Sequence, residues 1–419
     1  MAHAALALYC ICIRAGGGHK SAFCLASALC SAYGIGGARL TFLRGACFFT
    51  VFSGEEEVRA CRPSPRMAEY NFFLLESCFS VVRAARRGAS FEDIQSRICA
   101  IEQSCPHVLK QAVGCLAACG AFCMFFGGTV AEAAVAALTG AAICLIGRAF
   151  PRCLPSPLAG FLCAFSGGVF GIVLCRAAAL FGFDCCPSAV ALGTVMPHIT
   201  GLSSFRSLCM IFSGRLKGLK KLFYSLFCAL AVACGYAACG VLSACDMCIT
   251  PLPAGGIYGA ALCSLGALGF SLMFNARLPA AIAGAAAAFG AFMLYSACLP
   301  LGAYTALFVV VFAAYALPSA VCVPFFLPAV VLLVPAAVPF VPGGALYLAA
   351  VCLARLNLSC AAEHAAVAAC TLCIMAVAAV AGRCAGEGAA RGISKAVRAV
   401  KFRRGRAEVT KKGRQLSSF

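Results

Sequence analysis

The chain has 419 residues, of which 63% are hydrophobic and 11% charged, with a formal net charge of +19 and a mean hydropathy of +0.96. These proportions exclude a water-soluble globular fold for most of the chain, whose solvent must be lipid. The 32 cysteines come with no tryptophan, so Tyr and Phe are left to mark the membrane interfaces.

Residues 1–105 read as a small soluble α/β domain, because Glu55, Glu56, Glu57, Glu69, Glu76, Glu92, Asp93 and many arginines interrupt every apolar run there. Its opening, Met1 to Ile13, is apolar but too short to span a bilayer and lacks a basic leader, so neither a signal peptide nor a transmembrane helix is expected. Thr41 to Phe52 is rich in β-formers and is followed by Gly54-Glu55-Glu56 turn chemistry. Ala68 to Ala85 and Ser90 to Ile101 have helical periodicity, and Ser90 with Asp93 marks a helix start.

From Val108 onward the sequence predicts about ten spans, since a helix needs roughly 20 apolar residues to cross the hydrocarbon layer. They run near 108–127, 129–147, 157–175, 186–201, 222–244, 256–274, 278–298, 301–317, 320–338 and 364–382. The fold expected is an all-α polytopic membrane protein with the soluble domain at its N-terminus. Its parts are a cytoplasmic domain at 1–105, a first five-helix repeat at 106–248, a second at 249–382 and a basic cytoplasmic tail at 383–419.

Loop charges set the orientation. Arg148, Arg152, Arg206, Arg215, Lys217, Lys220, Lys221, Arg277 and the tail fall on one side, while Arg176, Arg355, Asp184 and Asp246 fall on the other. Both termini are therefore expected in the cytoplasm, with the chain in the cytoplasmic membrane. Basic loops and the tail from Arg383 to Arg414 suit anionic lipid, and no nucleic-acid partner is expected.

The cysteines, such as Cys115, Cys119, Cys123, Cys228, Cys234 and Cys239, sit in apolar stretches without regular spacing and read as small packing residues. Cys245 and Cys248 lack a second pair, and Cys185 and Cys186 stand without partners, so no metal site is expected. Nor is a cofactor or catalytic residue. Gly16-Gly17-Gly18-His19-Lys20 lacks the phosphate-loop spacing, so uphill work would need an ion gradient. The N-terminal domain gathers no nucleophile, base and orienting group, which leaves a membrane-bound hydrolase the weakest reading.

Two Pro-broken spans repeat. Met196-Pro197-His198-Ile199-Thr200-Gly201 and Val338-Pro339-Phe340-Val341-Pro342-Gly343 both read Pro-x-x-x-Gly after an apolar run. Halving the count gives about five spans per half, an odd number, so the halves would be inverted repeats. A break inside the membrane leaves backbone groups unpaired, which is tolerable where they line a cavity, and the breaks are the expected solute site.

These residues resemble the threonine/serine exporter family over nearly the whole chain. Ile13-Arg14-Ala15-Gly16-Gly17 with Ala32-Tyr33-Gly34-Ile35 looks like the family's opening helix, and Arg87-Gly88-Ala89-Ser90-Phe91-Glu92-Asp93-Ile94 like the segment before the helix at Ile98 to Ile101. Phe126-Gly127-Gly128 with Glu132, Gly269-Phe270 with Phe274-Asn275, and Val341-Pro342-Gly343 with Tyr347 resemble further motifs of the family. The chain departs from it at Gly18, Ser21, His198, Ser203, Arg206 and Ser207, where the family carries other polar residues. The resemblance implies proton-driven export of threonine and serine; a succinate-like dicarboxylate is the alternative cargo on the same scaffold. A homo-oligomer is left open.

Each candidate residue has two readings. Glu132 either belongs to the ion pathway or caps a helix, and His198 either shuttles protons or is a bonded structural group. Arg206 either meets a carboxylate or anchors the inner face, and Asn275 either contacts solute or caps carbonyls. Thr200 and Ser203 flank the first break, Tyr347 follows the second, and Pro197, Gly201, Pro339, Pro342 and Gly343 shape the backbone to expose amides and carbonyls.

Overall fold

The computed structural model describes residues 1–43, 45–53, 56–65, 70–105, 107–149, 154–198, 201–242, 255–322 and 327–416; Thr200, Cys245, Asp246 and Cys248 lie outside the described residues.

The N-terminal domain comprises α1 (Ala2–Arg14), α2 (His19–Ala32), strands β1 (Gly37–Leu43), β2 (Ala46–Ser53) and β3 (Glu56–Pro63), α3 (Phe72–Arg86) and α4 (Phe91–Gln103). The apolar opening segment is the central core helix of this domain. Leu6, Leu8, Tyr9, Ile11 and Ile13 of α1 are all buried, enclosed by α2, α3, α4, β2 and β3. Burying side chains of this size stabilises a fold by roughly 1.5–3 kcal/mol each, which accounts for an apolar run too short to span.

The sheet is antiparallel in the order β1-β2-β3, and Leu43 pairs with Ala46 around a tight turn in which Gly45 has φ 81°. Cys47, Phe49 and Val51 alternate into the core from β2. The expected helix start at Ser90 carries its cap, Ser90 Oγ accepting the Asp93 N–H at 3.2 Å, and α3 begins at Phe72, where Asn71 Oδ1 accepts the Leu74 N–H at 3.2 Å.

The membrane part begins with α5 (Val108–Phe125), α6 (Val130–Ala149), α7 (Ser156–Leu180), α8 (Pro187–Val195), α9 (Gly201–Phe212) and α10 (Lys217–Leu242). It continues with α11 (Gly256–Met273), α12 (Leu278–Cys298), α13 (Ala303–Cys322), α14 (Val330–Ala337), α15 (Gly343–Ala354) and α16 (Leu358–Leu416). Among the described residues eight helices are long and apolar enough to cross a membrane, or up to nine if the bent pair containing α14 and α15 is one span.

The order of lengths repeats: three long helices, two short ones around a break, then a long one. So does the packing. Helix α5 lies on α6 and α8 as α11 lies on α12 and α14, while α7 pairs with α10 as α13 pairs with α16. The short helix after each break packs crosswise on the long helix of the other half, α9 on α16 and α15 on α10.

The two halves meet where α5 crosses α11. A Cβ on Gly114 would lie 2.6 Å from the Gly269 carbonyl, and one on Gly266 would lie 2.6 Å from Phe122, so the two helices run antiparallel with their backbones in near contact. Small residues at such crossings replace the hydrophobic drive that lipid cannot supply.

The expected span at 320–338 is divided differently. Helix α13 continues through Pro318 to Cys322, and only Val330–Ala337 of the later stretch is α-helical before a 3-10 turn at Val338–Phe340. Proline is tolerated inside a membrane helix when neighbours satisfy the freed carbonyl, so Pro318 does not end α13. Likewise the expected span at 186–201 is α8 alone, with α9 beyond the break.

The N-terminal domain docks on the end of α11. The Phe72 N–H donates to the Phe274 carbonyl at 2.7 Å, and the Tyr70, Phe72 and Phe274 rings form a cluster with centroids 5.4 to 5.8 Å apart. Lys20 reaches Glu387 of α16 at 3.0 Å, tying the same domain to the final helix.

Candidate functional site at the paired helix breaks

The first break follows α8. The His198 N–H bonds the Val195 carbonyl at 3.0 Å, and its imidazole Nδ1 lies 3.0 Å from the Thr194 carbonyl. The second runs from the 3-10 turn through Pro342, where the Gly343 N–H returns to the Val341 carbonyl at 2.7 Å, and the chain bends by 50°.

The breaks touch. A Cβ on Gly201 would lie 2.7 Å from Val341 Cγ1, and one on Gly344 would lie 3.7 Å from Leu192 and 3.9 Å from Met196. Two helix C-termini and two helix N-termini therefore converge in the bundle interior. Their dipoles place partial negative and partial positive charge side by side.

A cavity of about 420 Å³ opens between α6, α7 and α8, lined among others by Glu132, Ile172, Arg176, Asp184, Cys186 and Pro187. Beneath it, sharing Ile172 and Pro187, lies a void of about 10 Å³ bounded by Thr139, Gly167, Gly171, Thr194 and Tyr236. That is room for roughly one water molecule. Thr139 Oγ1 is buried there and has no hydrogen-bond partner among the described residues. Tyr236 Oη lies 2.8 Å from Thr194 Oγ1, and the Tyr236 ring stands edge-on to that of Tyr347, 6.0 Å between centroids. Tyr347 and Tyr236 are both fully buried, so this contact carries the first half's hydroxyl cluster to the helix after the second break.

Glu132 is 7% exposed and makes a capping box with Thr129: its Oε2 accepts the Thr129 N–H at 2.7 Å while Thr129 Oγ1 accepts the Glu132 N–H at 3.3 Å. Its other oxygen accepts the Cys186 N–H at 2.8 Å, at the start of α8. One carboxylate thus satisfies orphan donors on two helices and lines the cavity.

Pro197, His198, Gly201, Pro339, Pro342 and Gly343 lie at the two touching breaks, Tyr347 follows the second, and Glu132 lines the cavity at the opposite end of α8. Three others lie elsewhere. Arg206 donates to the Gly16 carbonyl at 3.2 Å and its guanidinium sits 4.1 Å over the Tyr70 ring, so it holds the N-terminal domain to α9. Asn275 takes the left-handed conformation, φ 60°, and closes α11 as Gly127, φ 90°, closes α5. Ser203 is exposed and its carbonyl accepts from Ser207 Oγ at 2.8 Å.

Sequence reasoning missed Thr139, Thr194 and Tyr236. The available signal was the Gly167-Gly168 pair with Gly171, whose missing side chains leave the space that those hydroxyls border.

The family model described as "Putative threonine/serine exporter" matches residues 25–242, just over half of the chain, from α2 through the end of α10. No curated protein and no solved structure matches.

Proposed function

Because the chain belongs to the threonine/serine exporter family, we propose that it exports threonine and serine across the cytoplasmic membrane, with both termini in the cytoplasm and the proton gradient as driving force. The observation that carries the reading is the contact between the two breaks, next to the small void that Thr139, Thr194 and Tyr236 border. A zwitterionic amino acid suits that junction: helix N-termini at Gly201 and Gly343 favour its carboxylate, and the carbonyls ending α8 and α14 favour its ammonium group. The unpartnered Thr139 hydroxyl offers a bond to a small hydroxylated side chain.

The same reading takes the membrane part as about ten spans in two inverted halves, each break counted as one crossing. Its support is the antiparallel crossing of α5 and α11 and the repeated packing order. In this scheme Glu132 and His198 are the proton-linked groups, one at the cavity and one at the first break. Arg206, on which the dicarboxylate alternative drew, is engaged by the soluble domain.

The test is efflux of preloaded radiolabelled threonine from proteoliposomes. Faster release than from empty liposomes, rising with an imposed proton gradient, is the expected result. Release equal to the empty control, with succinate release accelerated, would sink the amino-acid reading; pH-independent release from the parent and from Glu132→Gln and His198→Gln alike would remove the coupling role.

A further inference from the structure

The turn joining α15 to α16 gathers three metal-ligating side chains. Cys352 Sγ and Cys360 Sγ lie 2.6 Å apart, and a ring nitrogen of His364 is within 4.8 Å of both sulfurs. Cys352 is in the last turn of α15; Cys360 and His364 are one turn apart on a single face of α16.

The turn that brings them together is built with care. The Asn357 N–H returns to the Cys352 carbonyl at 2.9 Å, and Leu356 is held at φ 60°, a left-handed conformation that a side-chain-bearing residue rarely adopts. Asn357 Oδ1 then accepts the Cys360 N–H at 3.3 Å, capping α16. Cys360 therefore sits in the first turn of a helix, where the dipole favours a thiolate.

The repeat supplies an internal control. Aligning Pro197 with Pro339 and Gly201 with Gly343 sets Met210, Gly218 and Leu222 at the positions of Cys352, Cys360 and His364. The α9–α10 turn has the same form, with Gly214 at φ 76° in place of Leu356 and the Arg215 N–H bonded to the Met210 carbonyl at 2.9 Å. One half thus builds this turn without any strong ligand. Neither the fold nor the break requires the cysteines and the histidine.

We infer that Cys352, Cys360 and His364 bind one thiophilic d10 cation of the zinc type, leaving a fourth position for water. Two thiolates and an imidazole are the donor set such an ion takes, with metal–sulfur distances of about 2.3 Å and metal–nitrogen of about 2.0–2.1 Å. On a tetrahedral ion the two sulfurs stand roughly 3.8 Å apart, so the side chains open by about an ångström on loading. Both thiol protons leave to solvent as the ion enters. The bound ion would clasp the helix that follows the second break to the start of α16.

The experiment uses the full chain in detergent, reduced with a phosphine that is then removed, with and without one equivalent of Zn²⁺. Alkylation is followed by peptide mass spectrometry at Cys352 and Cys360, with exposed Cys24 and Cys99 as internal references. Zinc is expected to slow alkylation of the first two by at least about tenfold and to leave the references unchanged. His364→Ala should lose that protection while its zinc-free rates stay as in the parent; if that variant does not fold, protection in the parent chain decides alone. Equal rates with and without zinc would overturn the site. So would recovery of Cys352 and Cys360 as a mutual disulfide in protein that takes up no cation.

Discussion

Tyr236 Oη lies 2.8 Å from Thr194 Oγ1, joining the last long helix of the first half to the short helix that precedes its break. Thr194 Oγ1 is also 3.0 Å from the Val190 and Ala191 carbonyls. The threonine proton goes to one of these carbonyls, so the tyrosine is the donor in the pair. Tyr236→Phe removes that donor and keeps the ring against Tyr347. The expected cost in thermal stability is about 0.5–1.5 kcal/mol, because the hydroxyl left behind keeps its carbonyl bond. Threonine efflux from proteoliposomes should fall by a larger proportion than folded yield. Full efflux in the phenylalanine variant would take this hydroxyl pair off the solute route.

The carboxylate of Glu132 serves two helix starts, α6 and α8, and its removal strands two N–H donors. Glu132→Ala should destabilise the chain by roughly 1–3 kcal/mol, measured as a shift of the thermal midpoint in detergent. Glu132→Gln keeps an acceptor and should cost less than the alanine change. A coupling role predicts that efflux by the glutamine variant loses its dependence on the proton gradient although the fold survives. Were both variants equally stable to the parent, the bridging geometry would be wrong.

The membrane class, most span centres, the α/β character of the N-terminal domain and the Ser90 cap were legible because each rests on local pattern: apolar run length, strand alternation or a capping residue. The pairing of the two Pro-x-x-x-Gly breaks was legible as a motif, and the contact of Gly201 with Val341 brings them together. Arg206 and Asn275 each kept two readings in the sequence for a physical reason. A polar residue near a membrane helix looks the same in sequence whether it faces solute or another domain, and only the fold put Tyr70 beneath the Arg206 guanidinium. Thr139, Thr194 and Tyr236 were hidden because a hydroxyl hardly lowers the hydropathy of a span. The positions of α14 and α15 were blurred because the chain bends between Phe340 and Gly343, around Pro342, while other prolines pass inside helices, Pro318 in α13 and Pro335 in α14.

The crossing of α5 and α11 admits no side chain. A Cβ on Gly269 would stand 2.5 Å from the Ala118 N and 2.7 Å from the Gly114 carbonyl, both backbone atoms that cannot rotate away. Gly269→Val should therefore force the helices apart and cost more than the roughly 1–3 kcal/mol of ordinary overpacking. Gly290, around which a Cβ would meet nothing within 4 Å, is the control: Gly290→Ala should leave the midpoint unchanged or slightly raised. Folded yield and thermal midpoint in detergent check both, and similar behaviour of the two variants would refute the tight crossing.

Glu76 gives the docking of the N-terminal domain a pH dependence. Its carboxylate accepts the Arg277 N–H at 3.4 Å and lies 3.9 Å from the Arg277 guanidinium, beside the Phe73 ring over which that guanidinium also sits. Burial raises the carboxyl above its ordinary 4.5, and the opposing pull of the Arg277 backbone bond and charge, with Lys110 and Arg83 more weakly, does not restore it. Between 4.5 and the raised folded value, the folded chain holds more protons than the unfolded one. Stability from this group therefore falls as pH rises through that window and is largest below it. The thermal midpoint of the full chain should show this decline on titration upward from the acid side, and Glu76→Gln should flatten it. The glutamine keeps an acceptor for the Arg277 N–H, so its midpoint on the alkaline side of the window should match or exceed that of the parent. A decline that persists unchanged in the variant would assign the pH dependence to another carboxylate.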